Sequence, residues 1–415
     1  MRVAIIGGGA SGMTAAITVA SGGNDVTIVE HMDRIGKKIL VTGNGKCNLT
    51  NTNQGLEFYH GTHPEYAKTI LEQCSYKDTL QFFTRLGIYT KNRNGGLYPY
   101  SEQASAVLDV LRMELKRLKV ELLTETKVVR IEPFKATQSD ALAHPKFKVL
   151  LKQQKKELTR EFDRVIIATG SKAAKHTGSD GSGYELARTL GHTVIEPRPA
   201  LVQLLSKQPF FKSIAGIRCD ARLTLLIDGQ YQEEERGELQ LTDYGISGIP
   251  VFQISYLASR ALYKKKDVRV EIDFMPDMPT VGDMKEMILG RVKACPNKEL
   301  HELMIGVFHK NLCQLFLKMN DLKSNRPVSE LTEEEIGAFA RLIKRFPVLI
   351  ADTNSFEHAQ TCTGGVDTAE LTDTLESKIV PGLYFTGEII DIDGACGGYN
   401  LQWAWSTGML AGRTL

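Results

Sequence analysis

Gly7, Gly9 and Gly12 carry the clearest chemical signature in the chain, in the segment Gly7-Gly8-Gly9-Ala10-Ser11-Gly12. Their G-x-G-x-x-G spacing follows the apolar run Val3-Ala4-Ile5-Ile6 and precedes a helical stretch from Met13 to Ala20. Gly7 permits a tight turn, Gly9 lets the backbone approach a pyrophosphate, and Gly12 lets the helix pack closely on a sheet. The N–H groups at the helix start, Ala10 and Ser11 among them, are donors for phosphate, and the helix dipole favours the negative charge. Gly22-Gly23 stops the helix, and the strand Asp25 to Val29 ends in Glu30, with His31 next to it. A carboxylate there accepts hydrogen bonds from both hydroxyls of an adenosine ribose and repels a 2′-phosphate.

Redox and proton chemistry need further groups, and Cys47 is the sharpest candidate. It is a lone thiol just after the first strand-helix-strand unit and has no C-x-x-x-x-C partner, which argues against a disulfide reductase. Lys46 beside it is expected to favour the thiolate, so that the thiol can donate a proton to carbon; a small buried apolar residue is the competing reading. Cys396 and Asp393 near the C-terminus are the other catalytic candidates. Asp391 can fix a cofactor or substrate, and Tyr98 and Tyr100 can stack on a flat ring.

The same glycine turn serves NAD and FAD, and three features favour FAD. Arg34-Ile35-Gly36-Lys37-Lys38 follows the ribose acid and can bring cations to the pyrophosphate. Asp163 to Ala168 forms another strand, entering Thr169-Gly170. Gly382 to Glu388 is a strand closing on Gly387 and an acid, followed by Asp393 to Gln402 and a helical stretch to about Ala411. A helix starting there aims N–H groups at a flavin edge where negative charge accumulates on reduction. Gly178 to Gly183 lacks a preceding strand, so no second dinucleotide domain is expected, and NAD(P)H must visit the open flavin face as a transient reductant.

Several segments resemble one family in order along nearly the whole chain. Arg34 to Asn51 (RIGKKILVTGNGKCNLTN) resembles the signature loop of the BaiN/RdsA-like, or aminoacetone-oxidase-like, flavoproteins. Leu97 to Ser105, Leu241 to Pro250, Thr363 to Val366 and Gly397 to Gln402 resemble its other segments. The resemblance implies a three-domain FAD-dependent oxidoreductase. It also implies that the cofactor contacts extend to Gly43, Asn44, Gly45, Val128, Gly398, Asn400 and Leu401, besides the residues above. Members are associated with bile-acid ring reduction, aminoacetone oxidation and dihydrouridine formation in ribosomal RNA. The reading carried forward is hydride delivery from reduced flavin to an electron-poor C=C bond, with 23S ribosomal RNA dihydrouridine synthesis as the specific expectation. An amine oxidase producing hydrogen peroxide is one alternative, and a non-redox FAD-assisted RNA modifier or binding protein is the other. The partner is a small molecule or RNA.

These residues must be positioned by an α/β fold. A Rossmann-like FAD domain, of the two-dinucleotide-binding flavoprotein type, is expected over 1–192 and 363–415. A β-rich, barrel-like domain over 193–278 and 346–362 and a helical domain over 279–345 are expected to split it. Arg218 to Ile227 and Asp267 to Phe274 alternate apolar and polar residues, as half-buried strands do. Val251 to Leu262 and most of 281–344 recur at helical spacing, and Thr332 with Glu335 fits a capping box. At 415 residues, with 42% hydrophobic and 24% charged, the chain has material for more than one core. A net charge of +2 argues against a surface devoted to nucleic acid. Lys116 to Lys175 is a local basic stretch, with Lys and Arg outnumbering Asp and Glu roughly two to one. Seven scattered cysteines lack metal-ligand or disulfide-framework spacing. With neither a leader nor a membrane span in evidence, a cytoplasmic protein without metal or membrane partner is expected.

Overall fold

The computed structural model describes residues 1–134 and 146–415. Part of the basic stretch, 135–145, therefore lies outside the described residues. The chain divides into two compact units, Met1–Arg198 with Gln360–Leu415, and Pro199–Ala359.

The first unit is organised by a parallel sheet. Strand β1 (Arg2–Ile6) runs into helix α1 (Ala10–Ser21) and then strand β2 (Asp25–Val29), as the glycine turn requires. The sheet order is Leu383–Phe385, Arg164–Ile167, β1, β2, Glu121–Leu123. Every neighbouring pair is parallel. β1 is buried from Val3 to Ile6, which explains its unbroken apolar run: both faces are covered. An antiparallel three-stranded sheet, Thr126–Phe134, Lys146–Gln153 and Lys156–Phe162, belongs to the same unit.

What closes this unit is the C-terminal helix (Tyr399–Arg413), buried along most of its length. Its glycines let it approach α1 to backbone distance. A Cβ on Gly408 would overlap the carbonyl oxygen of Ser11, and one on Gly412 would lie 2.6 Å from the Cβ of Thr18. Trp403 and Trp405 are wholly buried, and their indole N–H groups donate to the carbonyls of Gly387 (3.1 Å) and Leu49 (3.0 Å).

The second unit carries a seven-stranded antiparallel sheet. Its third strand in spatial order, Arg218–Ile227, pairs with Gln230–Leu241 on one side and Val268–Asp273 on the other. Ala221, Leu223, Leu225 and Ile227 are its buried face, the alternation legible in the sequence. Helix Ile249–Tyr263 has Pro250 in its first turn, and Thr332 with Glu335 forms the expected capping box. The inserted strands and the helices of 279–345, expected as two domains, share one hydrophobic core, with Phe316 packing edge-on against Phe346, Phe274 and Phe339. No helix among the described residues is long and apolar enough to cross a membrane.

The close approach of α1 and the C-terminal helix gives a direct test. Gly408→Val should destabilise the protein by about 2–3 kcal/mol through overpacking. Gly290→Ala, in a helix where an added Cβ meets nothing within 4 Å, should gain up to ~1 kcal/mol from helix propensity. Urea unfolding of both variants measures the contrast, and equal stabilities would show that the helices do not need the glycine.

Candidate flavin site

The site is built from the glycine turn upward. Gly7 has φ +106°, and a Cβ there would lie 2.5 Å from the carbonyl oxygen of Ala168. A Cβ on Gly12 would overlap the carbonyl oxygen of Gly7. Both positions are closed to any side chain. Gly9 is different: a Cβ there meets nothing within 4 Å, so the backbone faces open space. Gly9 is also the N-cap of α1, which has no side-chain cap and no acidic residue in its first turn. The donors and the dipole at that end are therefore left for an external anion.

At the end of β2, the buried Glu30 accepts the N–H of Gly8 on Oε2 (2.9 Å) and that of Met32 on Oε1 (2.8 Å). His31 Nδ1 lies 3.3 Å from Oε1. These bonds fix the carboxylate; its remaining lone pairs are available to ribose hydroxyls. The N–H of Thr126 donates to the carbonyl of Glu30 (2.9 Å), which brings Val128, Glu30 and His31 to one end of the site. Ala168, Thr169 and Gly170 lie across the turn, and the Thr169 hydroxyl is buried with no hydrogen-bond partner.

A second wall comes from the signature loop and the start of the C-terminal helix. Gly43, Asn44, Gly45 and Cys47 have φ of +55°, +53°, +80° and +57°, so the loop is wound left-handed at four of five successive residues. Asn51 Nδ2 donates to the carbonyl of Gly397 at 3.0 Å. A Cβ on Gly398 would lie 3.0 Å from Asn48 Oδ1, itself buried and without a hydrogen-bond partner. Gly398, at φ +98°, caps a helix that has neither a side-chain cap nor an acid in its first turn. Between the two walls, Lys38 Nζ donates to Glu388 Oε2 (2.6 Å), which also accepts from Ser171 Oγ (3.1 Å).

The residues present fit a flavin adenine dinucleotide. One uncapped helix end next to open space, a ribose-type carboxylate and a second uncapped helix end occur with buried, unpartnered polar atoms at Thr169 and Asn48. The first wall would hold the pyrophosphate and adenosine, and the second would hold the isoalloxazine edge.

Several side chains are used differently from the sequence expectation. Ser11 Oγ donates to the carbonyl of Thr386 (3.4 Å), so its side chain is directed toward the C-terminal segment, and the expected role at the pyrophosphate is one for its backbone N–H. Arg34 is largely exposed beside Asp33, and Lys37 also pairs with Asp33. Gly387 has both backbone groups occupied: its N–H donates to Thr407 Oγ1 (2.9 Å), and its carbonyl accepts from Trp403. Asn400 closes a two-bond ring on Gly394, accepting its N–H (2.9 Å) and donating to its carbonyl (2.6 Å). These residues position the backbone around the site. Leu401 is half-buried in the first turn of the helix.

The thiol expected to be activated is not. Lys46 pairs with Glu102 (3.2 Å), which also binds Lys91 and Arg93, so that its carboxyl is held down at about 2. Cys47 is 0% exposed, and burial pushes its thiol up to about 12, against a smaller opposing effect of the Thr42 hydroxyl. A neutral packing thiol is what that environment favours. Cys396 is partly exposed. Tyr98 packs near Gly43, whereas Tyr100 is exposed with Lys91 5.4 Å over its ring.

Asp393 is 2% exposed. Its Oδ2 lies 3.3 Å from Nδ1 of His60, while Oδ1 is buried with no hydrogen-bond partner. His60 lies opposite Asp393 in the antiparallel pair Tyr59–Gly61 and Ile392–Gly394. Sequence reasoning missed it, because a lone His in a three-residue strand has no periodicity to mark it. Asn48 was within the quoted signature, but nothing singled out its side chain.

The family model described as HI0933-like protein Rossmann domain matches residues 1–414. The chain is 46% identical to a 3-dehydro-bile acid delta(4,6)-reductase from Clostridium scindens, over 99% of this chain and 98% of that protein. It is 28% identical to a ribosomal RNA dihydrouridine synthase from Haemophilus influenzae, over 97% and 95% of the two chains. To a protein of the same name from Escherichia coli it is 26% identical, over 99% and 97%.

The open space at Gly9 yields a prediction. Gly9→Ala should leave the apoprotein's stability within about 0.5 kcal/mol and weaken FAD binding by about tenfold or more, because the methyl group fills the phosphate approach. Urea unfolding and flavin fluorescence titration measure the two effects, and undiminished FAD affinity would show that the turn faces something else.

Proposed function

The chain belongs to the HI0933-like family of FAD-dependent oxidoreductases, and from that premise we propose that it reduces a C=C bond conjugated to a ketone in a polycyclic, bile-acid-like substrate, with NAD(P)H as reductant. The observation that carries this reading is the 46% identity, across essentially both full lengths, with a reductase named for a 3-oxo compound unsaturated at positions 4 and 6.

The relatives named as dihydrouridine synthases support the same reaction class. Uridine's ring double bond is conjugated to a carbonyl, and dihydrouridine is its reduced form. Their lower identities, 28% and 26%, put uridine second to the steroid-type substrate, although it was the specific expectation from the sequence.

FAD supplies the two-electron hydride chemistry when bound. The chain's own groups bind and orient. The Gly7–Gly12 turn and the α1 N-terminus would carry the diphosphate charge, and Glu30 would hold the adenosine ribose. The uncapped start of the C-terminal helix, from Gly398, would present N–H donors where negative charge grows on reduction. Lys38, already balanced by Glu388, adds little net charge, so this work falls on backbone donors. The neutral Cys47 excludes water from the loop and leaves no thiolate to form adducts.

Anaerobic stopped-flow separates the readings. Protein reduced with NADPH or NADH should recover its oxidised visible spectrum when mixed with a 3-oxo-Δ4 or 3-oxo-Δ4,6 bile acid, and remain reduced with ribosomal RNA lacking dihydrouridine. Recovery only with the RNA would transfer the assignment to uridine. Bleaching by aminoacetone without NAD(P)H, with peroxide formed in air, would establish an amine oxidase instead.

A further inference from the structure

Reduction of a conjugated C=C bond needs a proton as well as a hydride, and the reading above leaves the proton's source open. Cys47, the sequence candidate, is enclosed, and its neighbouring lysine is committed to Glu102. We propose that His60 is the catalytic acid that protonates the substrate carbon next to the carbonyl, and that Asp393 is its positioning residue. This inference rests on the reductase reading and names the group that completes it.

The geometry is that of a carboxylate–imidazole dyad. Asp393 Oδ2 lies 3.3 Å from His60 Nδ1. With Nδ1–H donating to the carboxylate, the ring is fixed in one tautomer and proton transfer falls to Nε2. The dyad is rigidly mounted. The N–H of Thr62 donates to Asp391 Oδ2 (2.8 Å), and that of Ala395 donates to the carbonyl of Phe58 (2.8 Å), so both ends of the short strand pair are tied. Phe58 stacks on Tyr399 with ring centroids 4.5 Å apart, and Asn400 grips Gly394 through two hydrogen bonds. Tyr399 and Asn400 are the first two residues of the C-terminal helix. The dyad is thereby attached to the helix start that would hold the flavin edge.

A purely structural role fits poorly. A carboxylate oxygen buried without a donor costs about 1–3 kcal/mol, and well-packed apolar residues commonly stabilise as much as a buried ion pair does. The unpartnered Asp393 Oδ1 is therefore a cost that stability alone does not repay. A second imidazole–carboxylate pair, built on the buried His192, makes the contrast. His192 contacts Glu370 at 3.0 Å and the Ser377 hydroxyl at 2.7 Å, and its side chain is 0% exposed, so no substrate can reach it. The His60 side chain retains 14% exposure.

The step balances. The hydride forms a C–H bond at the far carbon of the conjugated C=C, and the π pair shifts toward the carbon next to the carbonyl. That carbon takes the proton from Nε2 of the imidazolium. The neutral imidazole keeps its Nδ1–H on Asp393 and regains a proton from water.

The test uses the FAD-loaded protein with the conjugated substrate. His60→Gln should lower kcat about 100-fold, the lower range for loss of a general acid, with FAD content unchanged, and should abolish the fall in kcat toward high pH. Asp393→Asn should lower kcat less and displace that fall. At pH values above the fall in kcat, where the ring is neutral, nitrogen NMR of ring-labelled histidine should show His60 as the Nδ1–H tautomer in the native protein and as a tautomer mixture in Asp393→Asn. Imidazole added to His60→Ala should restore part of the rate. An unaltered rate and pH profile in His60→Gln, no rescue of His60→Ala, or a tautomer indifferent to Asp393 would each overturn the assignment. If the native protein reduces no conjugated C=C at all, the reductase reading fails instead, while the NMR result still reports on the dyad.

Discussion

Two helices drawn from opposite ends of the chain meet at backbone distance, and the candidate site depends on that contact. Gly408 faces the Ser11 carbonyl, Gly412 faces Thr18, and a Cβ on Gly387 would come within 2.5 Å of Ser11 Oγ. Glycine has no Cβ, which permits the close backbone approach seen at Gly408 and Gly412. The approach brings the phosphate-type turn at Gly7–Gly12 into one site with the helix start at Gly398. Trp403 and Trp405 then lock the arrangement by donating to Gly387 and Leu49, which ties the strand end and the signature loop to the same helix.

Charge in the site is handled by pairing and by backbone donors. Lys38 and Glu388 neutralise each other, and Glu30 is pinned by two N–H groups. The cations expected to assist the cofactor or Cys47 are spent elsewhere, Lys37 on Asp33 and Lys46 on Glu102. What remains for an anionic cofactor is two helix ends without acidic residues in their first turns. Partial charges of this kind are fixed by the fold and need no reorganisation when ligand charge changes. The buried Asp393, by contrast, meets His60 through Oδ2, while its Oδ1 has no hydrogen-bond partner.

Much of this was legible in the sequence, because the signals were local or periodic. Strand, glycine turn, helix, strand and acid each impose a residue type within about thirty positions, and β1, α1 and β2 follow that order. The alternation in Arg218–Ile227 and the Thr332–Glu335 capping box are equally local. Side-chain destinations were less legible. Whether Asn400 reaches a cofactor or folds back on Gly394, and whether Lys46 activates Cys47 or pairs with Glu102, depends on neighbours set by tertiary packing. His60 was hidden for the same reason, since its partner lies 333 positions away and the strand that aligns them is three residues long. The shared core of the inserted strands and helices rests on contacts such as Phe316 with Phe346, which no window of sequence contains.

The central claim is that one flavin nucleotide is gripped at the same time by the N-terminal turn and by the start of the C-terminal helix. Amide hydrogen exchange, followed on the apoprotein before and after addition of FAD, tests it most directly. The account predicts that amides at Gly9 to Gly12 and at Gly398 to Leu401 gain protection together, at a single FAD per chain. Protection confined to one of the two segments, or gained by neither, would contradict it.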